Sequence, residues 1–206
     1  MSKPIAILDY GMGNLLSVRK AFAAVGVDAS VVTRPEEIDA ADKMVLPGIG
    51  AFKDAIANLR SAGLADAIRR HIQRGKLFLG ICIGLQLLFD VGFEDGAHQG
   101  LGVVPGKCLR FDVDKTLGLK VPHIGWNQLT VKRRAPILAD LPDDAGVYFV
   151  HSYYVAPDDP SVVATLTDYG RPFVSSIWRD NVMATQFHPE KSQKVGLRML
   201  ANFAAA

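Results

Sequence analysis

Leu77-Phe78-Leu79-Gly80-Ile81-Cys82-Ile83-Gly84-Leu85-Gln86-Leu87-Leu88-Phe89 is the stretch on which the fold turns. Leu77–Leu79 reads as a buried strand and Leu85–Phe89 as the start of a helix, with a sharp turn through two glycines between them. Such a turn lifts its central residue out of the sheet at a helix N-terminus, the nucleophile-elbow arrangement with cysteine in place of serine. Unpaired N–H groups and the helix dipole there favour negative charge on the sulfur. A side chain at either glycine would crowd so tight a turn. The same five residues also suit an inert cysteine in a tightly packed strand.

Upstream of this elbow, strand and helix alternate. Ile5–Leu8 reads as a buried strand, and Asn14 can cap a helix running through Val18, Ala21, Phe22 and Val25 to Gly26. Ala29–Val32 is a second strand, followed by a short helix after Pro35, and Met44–Leu46 is a third. Helices are expected around Phe52–Leu59 and Leu64–Arg74, with Gly75 as the stop. Apolar runs without alternation, separated by amphipathic helices, predict parallel strands covered on both faces. Beyond residue 100 the runs near 101–110, 126–131, 147–155, 162–168, 173–178 and 182–187 are richer in β-branched and aromatic residues. A last helix is expected over Lys191–Phe203. The expectation is one α/β domain over 1–206, with three layers: a mainly parallel sheet, helices on both faces, and antiparallel strands added in the second half.

His188-Pro189-Glu190 follows the strand-like run Val182–Phe187. In an extended segment residues two apart point the same way, so Glu190 can hold the His188 ring while the ring serves Cys82 as base. Such a histidine can equally be a strand-end residue with a satisfied hydrogen bond. Found together, each at a strand end, the cysteine and the histidine point to a thiol triad. Asp9-Tyr10-Gly11-Met12-Gly13-Asn14 is not a dinucleotide loop, because the third glycine of that fingerprint would fall at Leu16 and no acid ends the second strand. Leu46-Pro47-Gly48-Ile49-Gly50-Ala51-Phe52 suits either a packing turn or the backbone donors of an oxyanion hole. Pro122–Asn127 and His151–Tyr154 read equally well as ordinary strand ends, and Trp178 as core.

A length of 206 residues fits one domain able to bury a core without staples. The net charge of +2 is too small to argue for nucleic acid or an acidic membrane surface. Lys132-Arg133-Arg134 is the compact basic cluster and reads as a solvated loop. Two cysteines offer neither a disulfide framework nor a zinc cluster, and Cys108 reads as a strand residue. No metal or cofactor is expected. Met1-Ser2-Lys3-Pro4 running into a strand has no signal-peptide core, and no apolar stretch could span a bilayer, so the cytoplasm is the expected setting.

The motifs together resemble a known family. Gly80–Gln86 and Phe187–Glu190 are similar to the class I (triad) glutamine amidotransferases. Asp9–Leu15, Leu46–Phe52, His123–Asn127 and His151–Tyr153 narrow the resemblance to the branch whose members feed a (β/α)8-barrel cyclase in histidine biosynthesis. The likeness covers essentially the whole chain, although leucine usually stands where this chain has Ile83. It implies a flavodoxin-like sheet, glutamine as substrate, and a heterodimer with the cyclase. It further implies Cys82 as nucleophile, His188 as base and Glu190 as its orienter. The backbone N–H groups of Ile49 and Ile83 would form the oxyanion hole. Gly48, Gly50, Gln86, Glu94, Ser152 and Tyr153 would hold glutamine, and Asn14, Trp126, Tyr148 and Lys191 would form the interface and gate. Three other readings stay open: a subunit for anthranilate, aminodeoxychorismate or pyridoxal phosphate synthesis; a cysteine hydrolase or peptidase acting alone; and an idle subunit that only activates a barrel partner.

Overall fold

The computed structural model describes residues 5–113, 116 and 118–206; the expected lead-in Met1–Pro4 lies outside the described residues. The first half folds as a parallel layer. Strands β1 (Ile5–Leu8), β2 (Ala29–Val32), β3 (Lys43–Gly48) and β4 (Leu77–Cys82) lie in the order β2-β1-β3-β4, all parallel. β1 is buried along its whole length, as an unalternating apolar run requires when both faces are covered. The connecting helices are α1 (Leu15–Ala24), α2 (Pro35–Ala40), α3 (Phe52–Ser61) and α4 (Leu64–Gln73). Asn14 caps α1 by accepting from Ser17 N–H at 3.3 Å.

Right-handed crossovers decide which face each helix covers. The chain moves one way from β1 to β2 and the other way from β2 through β3 to β4. So α1 falls on one face and α2, α3 and α4 on the other, where α4 packs against both α2 and α3. The final helix α6 (Gln193–Ala205) joins α1. Phe22, Phe52, Phe78 and Phe203 are fully buried between these layers, each stabilising the fold by roughly 1.5–3 kcal/mol.

The helix expected over Leu85–Phe89 is a single turn, α5 (Ile83–Gln86). The carbonyls of Leu87, Leu88 and Phe89 instead accept N–H groups from Leu101, Val103 and Gly102, and Phe89 begins β5 (Phe89–Gly92). Leu85, Leu87, Leu88 and Phe89 are all buried, so this run has no polar face from which a helix period could be read.

The second half is mostly antiparallel. It contains β6 (His98–Gln99), β7 (Val104–Arg110), β8 (His123–Gln128), β9 (Thr130–Val131), β10 (Gly146–His151), β11 (Tyr153–Pro157), β12 (Val163–Asp168), β13 (Pro172–Arg179) and β14 (Val182–Thr185). β14 adds to β4 in parallel and closes the five-strand parallel part of the sheet, after which β13, β11, β7, β5 and β6 follow. The expected run 147–155 is two strands broken at Ser152: β11 joins the main sheet, whereas β10 pairs with β8 in a separate two-stranded ribbon. The last helix begins at Gln193 rather than Lys191, because Pro189–Lys191 forms a 3-10 turn before it. Cys108 is buried in β7, and Trp178 is only partly buried beneath the Arg133 guanidinium at 4.0 Å.

Candidate active site

The carboxyl ends of β1, β3, β4 and β14 meet at one edge of the sheet, where α/β proteins build their sites. Cys82 ends β4 with φ 56° and ψ −107°, a conformation that costs a non-glycine residue about 1–3 kcal/mol. The close packing under it enforces this geometry. A β-carbon on Gly84 would lie 1.9 Å from the Leu46 carbonyl oxygen, and one on Gly48 would lie 2.5 Å from Tyr10 Oη and 2.7 Å from Ile83 Cβ. Glycine is thus required at both places so that β3, the elbow and Tyr10 can approach. Ile83 opens α5, so its N–H has no intrahelical acceptor.

His188 lies three residues past the end of β14, buried, with its backbone pinned. Its N–H donates to the Tyr148 carbonyl at 3.0 Å, and the Ser192 hydroxyl donates to its carbonyl at 2.7 Å. His188 Nδ1 and Glu190 Oε1 are 2.7 Å apart, and the side chains are 2% and 1% exposed. The pairing was expected from an extended His-Pro-Glu; it is made across the 3-10 turn instead, with only His188 extended. Burial works to lower the His188 imidazole, but the Cys82 sulfur and then Glu190 outweigh it and push it up to about 10. His188 Nε2 is buried and has no hydrogen-bond partner among the described residues, and catalytic hydrogen bonds often form or tighten only on substrate binding.

These groups face a cavity of about 380 Å³ lined by Cys82, Ile83, Gln86, His188, Ile49 and Gly50, with Glu94, Ser152, Tyr153 and Lys191 also on its wall. The structure therefore gathers most of the expected residues in one place. Glu94 Oε2 accepts the N–H of Phe52 at 2.6 Å and so caps α3 as well. The carbonyls of Ser152 and Tyr153 are engaged internally, the first by Phe111 N–H and the second by Gln86 and His151. Trp126 and Tyr148 face each other across the β8–β10 ribbon, rings 6.2 Å apart, and Lys191 Nζ sits 5.8 Å over the Tyr148 ring. The Asn14 side chain is engaged in capping α1.

Two groups at the site were not foreseen. Tyr10 Oη is buried without a partner among the described residues, and burial, reinforced by Cys82, holds its proton on. Gln186 is fully buried beside the sulfur. Its signal was present: an amide at the end of an apolar strand run must find partners once buried. A second polar chain runs from Asn127 Nδ2 to His123 Nε2 at 3.4 Å, and from His123 Nδ1 to His151 Nε2 at 3.0 Å. Burial lowers these imidazoles, to about 4 for His123 and about 3 for His151.

The chain is similar to known proteins along nearly its whole length. The family model described as glutamine amidotransferase class-I matches residues 6–206. The chain is 57% identical over 202 residues to the imidazole glycerol phosphate synthase subunit HisH of Syntrophotalea carbinolica, covering 97% of this chain and 98% of that protein. It is 56% identical over 198 residues to the protein of the same description from Aquifex aeolicus, covering 96% and 94%. Two solved structures share the fold: a glutamine amidotransferase at TM-score 0.75 and 19% identity, covering 98% of this chain and 99% of that one, and PurLQS from Thermotoga maritima at 0.76 and 18%, covering 100% and 98%. The chain belongs to the class-I glutamine amidotransferases, within the family of HisH subunits of imidazole glycerol phosphate synthase.

Proposed function

We propose that residues 1–206 act as one amidotransferase domain that hydrolyses glutamine and passes the ammonia to a (β/α)8-barrel cyclase in a cytoplasmic heterodimer. The partner would combine the ammonia with a phosphoribulosyl-formimino nucleotide (PRFAR), giving imidazole glycerol phosphate and AICAR. The observation that carries the reading is the buried His188–Glu190 pair turned toward a cysteine on a strained elbow, in one cavity.

The steps follow from these groups. The Cys82 sulfur, as thiolate, attacks the side-chain amide carbon of glutamine. The oxyanion takes hydrogen bonds from the N–H of Ile83 and, after the Gly48-Ile49-Gly50 turn reorients, from that of Ile49. Protonated His188 gives its proton to the departing nitrogen, the C–N bond breaks, and ammonia leaves a thioester on Cys82. Neutral His188 then takes a proton from water, whose oxygen attacks the thioester; the C–S bond breaks, and glutamate and the thiolate result. Glu190 keeps the ring in the tautomer that presents Nε2. Ammonia must be used before it is protonated, so the site mouth needs a cover. Exposed Ile49, Ile124 and Trp126 supply apolar surface for one, beside Asn14, Tyr148 and Lys191.

The test is glutamate release by this chain alone and mixed with the barrel cyclase, with and without PRFAR, with Cys82→Ala as the blank. Release confined to the mixture and rising with the nucleotide is the expected result. Equal release in every tube would place the glutaminase in another pathway, and none in a formed complex would leave an idle activating subunit.

A further inference from the structure

Gln186 has no part in the steps above, yet its side-chain amide touches the nucleophile Cys82 and Gln86, a residue expected to hold glutamine. Its Nε2 lies 3.7 Å from Cys82 Sγ, and its Oε1 lies 3.1 Å from Gln86 Nε2. The direction of this chain is dictated by a backbone atom. Gln86 Nε2 also meets the Tyr153 carbonyl oxygen at 3.3 Å, and a carbonyl can only accept. The Gln86 atom at that point must therefore be the amide nitrogen. Gln186 must then offer its oxygen to it, which turns the Gln186 nitrogen toward the sulfur. The same carbonyl accepts from His151 Nδ1 at 2.8 Å, so it anchors both polar chains of the site. Gln86 Oε1 is buried and has no partner among the described residues, although Gln86 lines the cavity.

We propose that Gln186 is a positioning residue of the site. It donates an N–H to the Cys82 sulfur and, by engaging Gln86 Nε2, keeps Gln86 Oε1 as the unused acceptor beside the bound glutamine. Both effects serve the same step. A donated N–H steers the sulfur and favours its charged form, while a Gln86 that cannot flip always presents an oxygen to the substrate.

The contact to bound glutamine and the kinetic arm rest on the glutaminase reading, whereas the contact to the sulfur does not. The first measurement is the pH profile of Cys82 alkylation by iodoacetamide in wild type, Gln186→Glu and Gln186→Met, with Cys82→Ala as the blank and buried Cys108 unreactive. Gln186→Met should react roughly ten- to hundredfold more slowly on the rising part of the profile, the effect of one hydrogen bond to a charged group, and Gln186→Glu, which also sets a carboxylate against the sulfur, at least as slowly. In the glutaminase assay with the cyclase, Gln186→Glu keeps an acceptor for Gln86, so kcat falls at unchanged KM. Gln186→Met loses both contacts, so KM rises as well. An alkylation profile identical in all three proteins overturns the proposal. A second measurement needs no variant at Gln186: in protein labelled with 15N-glutamine, the Gln186 side-chain resonance should move when Cys82 is replaced by alanine. A resonance that stays in place refutes the contact. Slower alkylation without glutamate release in any mixture would uphold the positioning role and defeat the reading of function.

Discussion

Replacing Glu190 by glutamine tests how the site divides the work of holding a protonated imidazole. The pair is 2.7 Å apart with both side chains almost fully buried, so the carboxylate's hydrogen bond to His188 contributes roughly 1.5–3 kcal/mol. That corresponds to roughly one to two pH units on the imidazole. Burial lowers His188, and against it the Cys82 sulfur ranks ahead of Glu190 among the groups that raise it. Glu190→Gln should therefore bring the imidazole down from about 10 without taking it below neutrality, and Cys82→Ala should bring it down further. Glu190 Oε2 is buried without a partner among the described residues, so the variant's amide nitrogen would be unpaired there and would add about 1–3 kcal/mol of instability. The turnover step should slow roughly ten- to hundredfold, the kinetic equivalent of the lost bond. Titration of 13C-labelled histidine by NMR in wild type and both variants reads the first effect, and glutamate release with the cyclase reads the second. A larger fall in Glu190→Gln than in Cys82→Ala, or unimpaired turnover, would refute this account of the triad.

Other consequences are as direct. His188 binds its proton more tightly in the folded chain, about 10 against an ordinary 6.5, so its stabilisation is full below 6.5 and drains as pH rises through about 10. The melting-temperature gap between wild type and His188→Asn should accordingly narrow between pH 6.5 and 10. His123 and His151 act with the opposite sign: burial depresses both, so the unfolded chain binds more protons below 6.5 and stability falls on acidification. His123→Asn should flatten that acid limb, and an unchanged limb would clear the buried pair of responsibility. Gly84→Ala puts a β-carbon against the rigid Leu46 carbonyl and should destabilise by about 3 kcal/mol or more in urea unfolding, with activity lost. Trp126→Ala removes a ring that is 52% exposed, so stability should stay within about 0.5 kcal/mol while affinity for the cyclase falls about tenfold or more.

What the sequence determined by itself was local. Ile5–Leu8 and Ala29–Val32 are strands to the residue, the first as an unalternating apolar run buried on both faces and the second as a short β-branched run after the Gly26 stop, at the sheet edge with Ser30 and Val31 exposed. Gly80–Gly84 was legible as an elbow because only glycines allow that turn, and Glu190 was legible as the partner of His188 because two residues of separation leave the carboxylate within reach. The meeting of Cys82 with His188 was inferred from two motifs that each end a strand, whereas the flavodoxin-like sheet was implied only by the family likeness. Only the tertiary structure decided the rest, since those contacts join residues far apart in the chain. Leu85–Phe89 leaves the helix because the segment Leu101–Val103 takes its carbonyls, and the 147–155 run divides between two sheets because β10 and β11 find different neighbours. Gln186 illustrates the boundary most clearly. Its polarity marked it as a residue in need of partners, but which of its atoms faces the sulfur is settled by the carbonyl of Tyr153, a strand that reaches the site only when the chain has folded.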